Sequence, residues 1–261
     1  PNCLRKQIGE ADHLAINESI ETVCYPTASA MASSFDTKLI KELGEILGEE
    51  CQAEQVSMLL GPGVNMKRSP LCGRNFEYFS EDPYLAGEMA AAYIQGLQDK
   101  GIAACVKHFA ANNQETRRMS GSSQVDERSF HEIYLPAFET AVKKGGARSV
   151  MCAYNALNGV FCAENKDLLT GLLRKQWGFD GFVVTDWGAV KDRVAGLKAG
   201  VDLEMPGSRN GKTEAIVRAV EDGSLSMEVL DQAVANVLQF VKESLENQRK
   251  DVVFDREKAL N

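Results

Sequence analysis

Short apolar runs alternate with amphipathic helical stretches along nearly the whole chain, and that rhythm leaves few folds open. The runs fall at 56–60, 103–107, 148–152, 182–186 and 201–204, each ending in a loop before the next helical stretch. They are too short for helices and too evenly apolar for strands with one wet face, so they read as strands buried on both sides. Between them, Leu39, Leu43, Ile46 and Leu47 recur at helical spacing behind Asp36, a residue suited to cap that helix. Asp82, Pro83 and Gly101 similarly mark the start and stop of the next helix. Pro136 is predicted to kink the helix DERSFHEIYLPAFETAVKKGG.

Strand–helix alternation builds a parallel sheet covered by helices. No G-x-G-x-x-G and no P-loop follows a strand, which argues against a doubly wound nucleotide-binding sheet. The length of 261 residues suits one (β/α)8 barrel, typically about 250 residues. Only five strands are legible where a barrel needs eight. The expected fold is therefore α/β, a (β/α)8 TIM-like barrel, irregular or incomplete at its N-terminal end. It occupies 1–247, with 248–261 read as the start of a linker.

Composition removes several function classes. The formal net charge is −8, which argues against nucleic acid and anionic membrane as partners. No apolar run approaches the roughly 20 residues of a membrane span. There are seven cysteines, an odd number, mostly within apolar stretches and never as C-x-x-C. Free thiols in a reducing compartment fit that usage, and thiolate-held zinc does not. The opening PNCLRKQIGEADHLAINE is too polar for a signal peptide, so the expected location is cytoplasmic. Both ends read as interrupted: the chain opens without Met and closes on the linker-like DVVFDREKALN.

The chemically rich residues cluster just after the strands: Asn65, Arg74, Lys107, His108, Tyr154, Asp186 and Trp187. In a barrel those positions share the C-terminal mouth, where active sites sit. Asp186 ends the apolar strand FVVTD. A carboxylate there can attack a sugar's anomeric carbon and stabilise an oxocarbenium-like transition state, or it can cap the helix that follows. Trp187 offers an apolar plate for a sugar face. Lys107 and His108 are two donors at one strand end, and both face the mouth only if the strand has ended there. Otherwise they read as a salt bridge and a core histidine, or Lys107 as a Schiff-base lysine. Arg74 can bind vicinal hydroxyls or pair with Glu77, Glu81 or Asp82. Arg117 and Arg118 lie in FAANNQETRRMSGSSQ, a long loop without evident structure and for that reason a functional candidate. Tyr154 can orient the nucleophile or simply pack. Glu115 and Glu204 are the carboxylates that could supply an acid, but each reads better as a structural partner of nearby groups.

Together, GRNFEYFSEDP, VKHFAANNQE, AYNALNG, GFDGFVVTDWGAV and DLEMPG resemble the motifs of the family 3 glycoside hydrolases, in particular the bacterial β-glucosidase branch. The resemblance runs from the first residues to about Pro206. It implies that Asp186, in T-D-W, is the nucleophile of a retaining mechanism that releases terminal non-reducing β-D-glucose. It implies that Arg74, Lys107, His108 and Arg118 bind the sugar, with Tyr154 and Trp187 flanking the nucleophile. LRKQ resembles the stretch after the family's D-G-P-x-G, which makes Arg5 a sugar-site residue. The Asp of that motif would precede Pro1, and Cys3 stands where the family usually has Gly. The branch's acid/base Glu comes from a second, α/β sandwich domain, so here it is expected from outside this chain, whether from that C-terminal domain or a partner chain. The family's other branch uses a His in the loop after K-H, and this loop has none. No metal or organic cofactor is implied, and the expected substrate is a β-glucoside or short β-linked oligosaccharide. A non-hydrolytic sugar-binding barrel and a Schiff-base aldolase using Lys107 are the rival readings.

Overall fold

The computed structural model describes Leu4, Lys6, residues 18–207 and residues 211–260. In chain order the strands are β1 (Met58–Leu59), β2 (Ala103–Phe109), β3 (Ser122–Ser123), β4 (Ser149–Cys152), β5 (Ala156–Leu157), β6 (Val160–Phe161) and β7 (Phe182–Thr185). The helices are α1 (Ala28–Ala32), α2 (Thr37–Ala53), α3 (Pro83–Asp99), α4 (Glu127–Ser129), α5 (Pro136–Lys143), α6 (Arg193–Ala199), α7 (Lys212–Glu221), α8 (Met227–Asn247) and α9 (Arg256–Leu260). A more widely wound helix, Asp167–Gln176, precedes β7.

β1, β2, β4 and β7 pair in that order, all parallel. Leu203 bridges Val184 in the same sense and adds a fifth position at one edge. At the other edge Gly63 bridges both Lys107 and Tyr78. Among the described residues these strands form an arc of a TIM-like barrel without closing it. The five expected strands are all present in their expected order, the last reduced to one bridging residue.

Strand alternation sorts the apolar side chains into two clusters. Ala104, Val106, Val150, Cys152 and Val183 face the helices and join the large core. Cys105, Met151, Phe182 and Val184 point the other way, into the barrel interior. Phe240 of α8 closes that interior at the strands' N-terminal ends, its ring 4.6 Å from that of Phe182. Arg148, just before β4, pairs with Glu243 of the same helix. These contacts hold α8 against this end, and the candidate site residues lie at the opposite mouth. Each large side chain buried in these clusters contributes about 1.5–3 kcal/mol.

Local signals explain the helices. Asp36 caps α2 by accepting from the Lys38 and Leu39 N–H groups, and Asp82 caps α3 by accepting from Tyr84 and Leu85. Pro83 is the first residue of α3, and Gly101 just beyond it has φ +78°. α2 and α3 touch backbone to backbone, because a Cβ on Gly96 would lie 2.0 Å from the Lys41 carbonyl oxygen.

Three expectations need correcting. Pro136 does not kink a continuous helix. The turns before it widen, with the Leu135 N–H donating to the Phe130 carbonyl at 3.0 Å, and Pro136 opens α5, where its missing N–H is no loss. The long loop after His108 is not structureless: its end, β3, pairs in parallel with β5. β5 and β6 form a hairpin turned by Asn158 (φ 49°) and Gly159 (φ 93°), the Asn-Gly pair that a tight hairpin favours. Finally, β2 does not stop before His108. It runs to Phe109, with a register shift against β4 between Val106 and Phe109, and the Lys107–His108 peptide is cis.

Beyond α8 the chain returns to the barrel. Gln52 binds the Asn247 carbonyl and the Arg249 N–H, and Phe254 and Ala259 pack against the main core. No helix among the described residues is long and apolar enough to cross a membrane. Six cysteines fall within the described residues; all are free, and only Cys24 is exposed.

Candidate active site

Asp186 leaves β7 buried, 8% exposed, with its carboxylate at the mouth end of the sheet. Its Oδ1 accepts from the Trp187 N–H at 2.8 Å. It caps no helix; α6 is capped by Asp192, which accepts from Val194 and Ala195. Oδ2 is buried and, among the described residues, forms no well-aligned hydrogen bond, although His108 Nε2 approaches it to 3.4 Å. Burial raises the Asp186 pKa above the ordinary value, opposed by the Trp187 N–H, Arg74, Tyr154 and Lys107.

His108 is wholly buried, and Asn65 clamps its backbone. The His108 N–H donates to Asn65 Oδ1 at 2.8 Å, and Asn65 Nδ2 donates to the His108 carbonyl at 2.9 Å. Its Nδ1 lies 3.1 Å from the Tyr78 hydroxyl. Burial, reinforced by Arg74, Lys107 and Arg118, pushes the imidazole pKa well below its usual value. The ring is therefore neutral at pH 7, and its contact with Asp186 is not an ion pair.

Two carboxylates organise the surrounding cations. Glu77 accepts from Arg74 Nε at 3.1 Å and Nη2 at 2.7 Å, with Lys107 Nζ 3.6 Å away. Burial works to raise the Glu77 pKa, but Lys107 and Arg74 together hold it below the ordinary range. Glu115 takes a hydrogen bond from Arg118 Nη1 at 2.6 Å. The Arg118 guanidinium lies 4.6 Å from the centroid of the Tyr154 ring. Tyr154 is buried, and burial followed by the Asp186 charge raises its pKa, so it stays a neutral hydroxyl beside the carboxylate.

Six of the eight site residues predicted from sequence thus form one cluster: Asp186, His108, Lys107, Arg74, Arg118 and Tyr154. Trp187 adjoins it, half-buried against the interior cluster. Arg5 lies outside the described residues. Arg117 is exposed with φ 54°, so Arg118 is the arginine of that pair turned to the site. Glu204 is held by Lys212 at 2.5 Å and Arg193 at 3.5 Å, and Glu115 by Arg118, so both carboxylates have structural partners. Lys107 faces the Glu77 carboxylate rather than the apolar pocket a Schiff-base lysine needs. A cavity of about 120 Å³ opens beside Lys107 and Glu77, lined also by Pro62 and Phe76, but Asp186 does not line it.

Sequence reasoning named Glu77 as one of three possible partners of Arg74, the one the structure shows, and Asn65 as a strand-end residue without a role; it did not single out Tyr78 or Asn112. Glu77 and Tyr78 sit inside GRNFEYF, so the motif contained them. Nothing in the spacing showed that Tyr78 meets a histidine 30 positions away.

The fold and this cluster define an α/β barrel whose mouth presents the buried Asp186 carboxylate amid cationic and hydroxyl donors. The chain belongs to glycosyl hydrolase family 3: residues 15–240 match that family's N-terminal domain. It is 55% identical to thermostable beta-glucosidase B of Acetivibrio thermocellus over 98% of this chain and 34% of that protein. It is 46% identical to an exo-alpha-(1→6)-L-arabinopyranosidase of Bifidobacterium longum over 97% of this chain and 34% of that protein. Beta-glucosidase 3B of Thermotoga neapolitana, solved in complex with alpha-D-glucose, superposes with a TM-score of 0.89 at 45% identity, over 97% of this chain and 37% of that one. The chain spans about a third of the length of these relatives.

Proposed function

We propose that the protein carrying this chain is a retaining β-glucosidase in which Asp186 is the nucleophile. The observation that carries the reading is the buried Asp186 carboxylate at a barrel strand end, beside His108 and Tyr154. Arg74, Lys107 and Arg118 flank it. An Asp186 oxygen bonds to C1 of a terminal β-D-glucose as the C1–O bond to the leaving group breaks. The electron pair departs on the aglycone oxygen, which takes a proton from a Glu outside this chain. Water, deprotonated by that Glu, then attacks C1 and releases Asp186 as a carboxylate. Arg74, Lys107 and Arg118 bind the sugar hydroxyls, His108 reaches them only through the Nε2 that also faces Asp186, and Arg5 is a further candidate. Residues 248–261 lead into the α/β sandwich domain that supplies the acid, and the free cysteines favour a cytoplasmic location.

The relative named for L-arabinopyranoside cleavage supports a second glycone reading, an arabinopyranose in the same pocket. Comparing kcat/KM on aryl β-D-glucosides and aryl α-L-arabinopyranosides ranks the two.

Proton NMR of the first-formed product from an aryl β-D-glucoside tests the mechanism. β-Glucose should appear before mutarotation; α-glucose would rule out retention. The pH profile carries a second signature. Asp186 attacks only when ionised, and burial raises its pKa. The acid limb of kcat/KM should therefore fall at a pH above the ordinary Asp range. A limb within that range would contradict the assignment.

A further inference from the structure

His108 has a neighbour on each ring nitrogen, and the order of donors around it is fixed from a distance. Glu115, paired with Arg118, accepts from Asn112 Nδ2 at 3.1 Å. A carboxylate can only accept, so the Asn112 amide must turn its NH2 toward Glu115. The same NH2 donates to the Tyr78 oxygen at 3.5 Å. The Asn112 NH2 can only donate, so among these side chains His108 Nδ1, 3.1 Å away, is the acceptor left for the buried Tyr78 O–H. A neutral imidazole that accepts at Nδ1 carries its hydrogen on Nε2. That N–H faces Asp186 Oδ2 at 3.4 Å, an acceptor with no well-aligned hydrogen bond among the described residues.

We propose that Asn112 and Tyr78 are positioning residues: they form a directed hydrogen-bond chain from Glu115 that fixes the tautomer of His108, so that the ring always presents a donor to the Asp186 carboxylate. Trp187 N–H holds Oδ1, the Tyr154 hydroxyl also serves the carboxylate, and His108 Nε2 stands 3.4 Å from Oδ2. The opposite tautomer would turn a lone pair toward Oδ2 and repel the nucleophile in its ionised form. Burial supports the arrangement. Tyr78 is fully buried and its pKa is raised by burial, so it remains a proton-bearing donor across the working range. Glu115 serves two ends of the site at once, since it also anchors Arg118. The inference rests on Asp186 acting as nucleophile.

The test is Tyr78→Phe in the protein as encoded, a change that keeps the ring and removes only the hydroxyl. The expected result is a fall in kcat of on the order of 10-fold on an aryl β-glucoside, with KM changed less than about 2-fold. The acid limb should move to higher pH, because the Asp186 anion loses a committed donor. Nitrogen-15 NMR reads the tautomer without reference to activity, the His108 signals being those lost in His108→Gln. The wild type should show Nε2 protonated and Nδ1 bare, and Tyr78→Phe should show a mixture. A His108 protonated at Nδ1 in the wild type would overturn the proposal. So would a Tyr78→Phe protein with unchanged tautomer, kcat and acid limb. If Asp186→Asn is inactive while Tyr78→Phe matches the wild type on all three, the chain is refuted and the nucleophile assignment stands.

Discussion

Asp186→Asn should abolish β-glucoside turnover, lowering kcat by at least about 10⁴-fold while the fold is retained. Both carboxylate oxygens face donors, Trp187 N–H at 2.8 Å and His108 Nε2 at 3.4 Å. An Asn of the same shape must therefore set its own NH2 against one of them, and neither of its polar atoms is a nucleophile of carboxylate strength. A second variant separates loss of the nucleophile from general damage. In Asp186→Ala the missing side chain leaves room on the α face of C1. With an aryl β-glucoside of good leaving-group ability, added azide should attack there and give the α-configured glycosyl azide. Azide bonds to C1 as the C1–O bond breaks, and the aryl group leaves as its phenolate, so no acid is required. Wild-type-like turnover in Asp186→Asn, or a β-configured azide from Asp186→Ala, would refute the assignment.

Glu77→Gln should have the next largest effect, and on stability as well as binding. Glu77 neutralises two cations at once, and its side chain is only 16% exposed beside Arg74 at 18% and Lys107 at 19%. Removing one partner from a buried ion cluster leaves the others uncompensated, which costs on the order of 3 kcal/mol. The loss should depend on pH with a definite sign. Glu77 is held below the ordinary carboxylate range, so its stabilisation is full above that range and is lost as pH falls through the depressed value. The gap in thermal midpoint between wild type and Glu77→Gln should accordingly narrow on acidification. Freed of their anchor, the Arg74 and Lys107 head groups shift by an ångström or so, enough to lower kcat/KM about 10²-fold, chiefly through KM. A variant with wild-type KM and a pH-independent stability gap would show that Glu77 does not organise the site.

Much of this molecule was legible in its sequence because local physics set it. The alternation of apolar runs marked the strands, and side-chain caps at Asp36 and Asp82 marked helix starts within a residue. Asp186, Lys107 and His108 stood out because polar groups at the ends of apolar strands have few reasons to be there, and Arg74 because it follows a strand and a Gly-rich turn. What escaped was non-local. The role of Glu77 depends on Lys107, 30 positions on, and that of Tyr78 on His108, likewise 30 positions on. Lys107 and His108 reach the site together through a register shift at the end of β2, which no periodicity announces. The β5–β6 hairpin did have a local signal, the Asn158–Gly159 pair, but two-residue strands are too short for alternation to mark.

The most direct test of the central claim is to trap the glycosyl-enzyme. A 2-deoxy-2-fluoro-β-D-glucoside with a dinitrophenolate leaving group slows both steps by destabilising the oxocarbenium-like transition state. The leaving group restores only the first, so the covalent intermediate accumulates. Protease digestion and tandem mass spectrometry then locate the sugar. The expected result is one fluoroglucosyl group on the side chain of Asp186, in the peptide containing FVVTDWGAV. An adduct on any other residue, or hydrolysis of the reagent without a covalent intermediate, would contradict it.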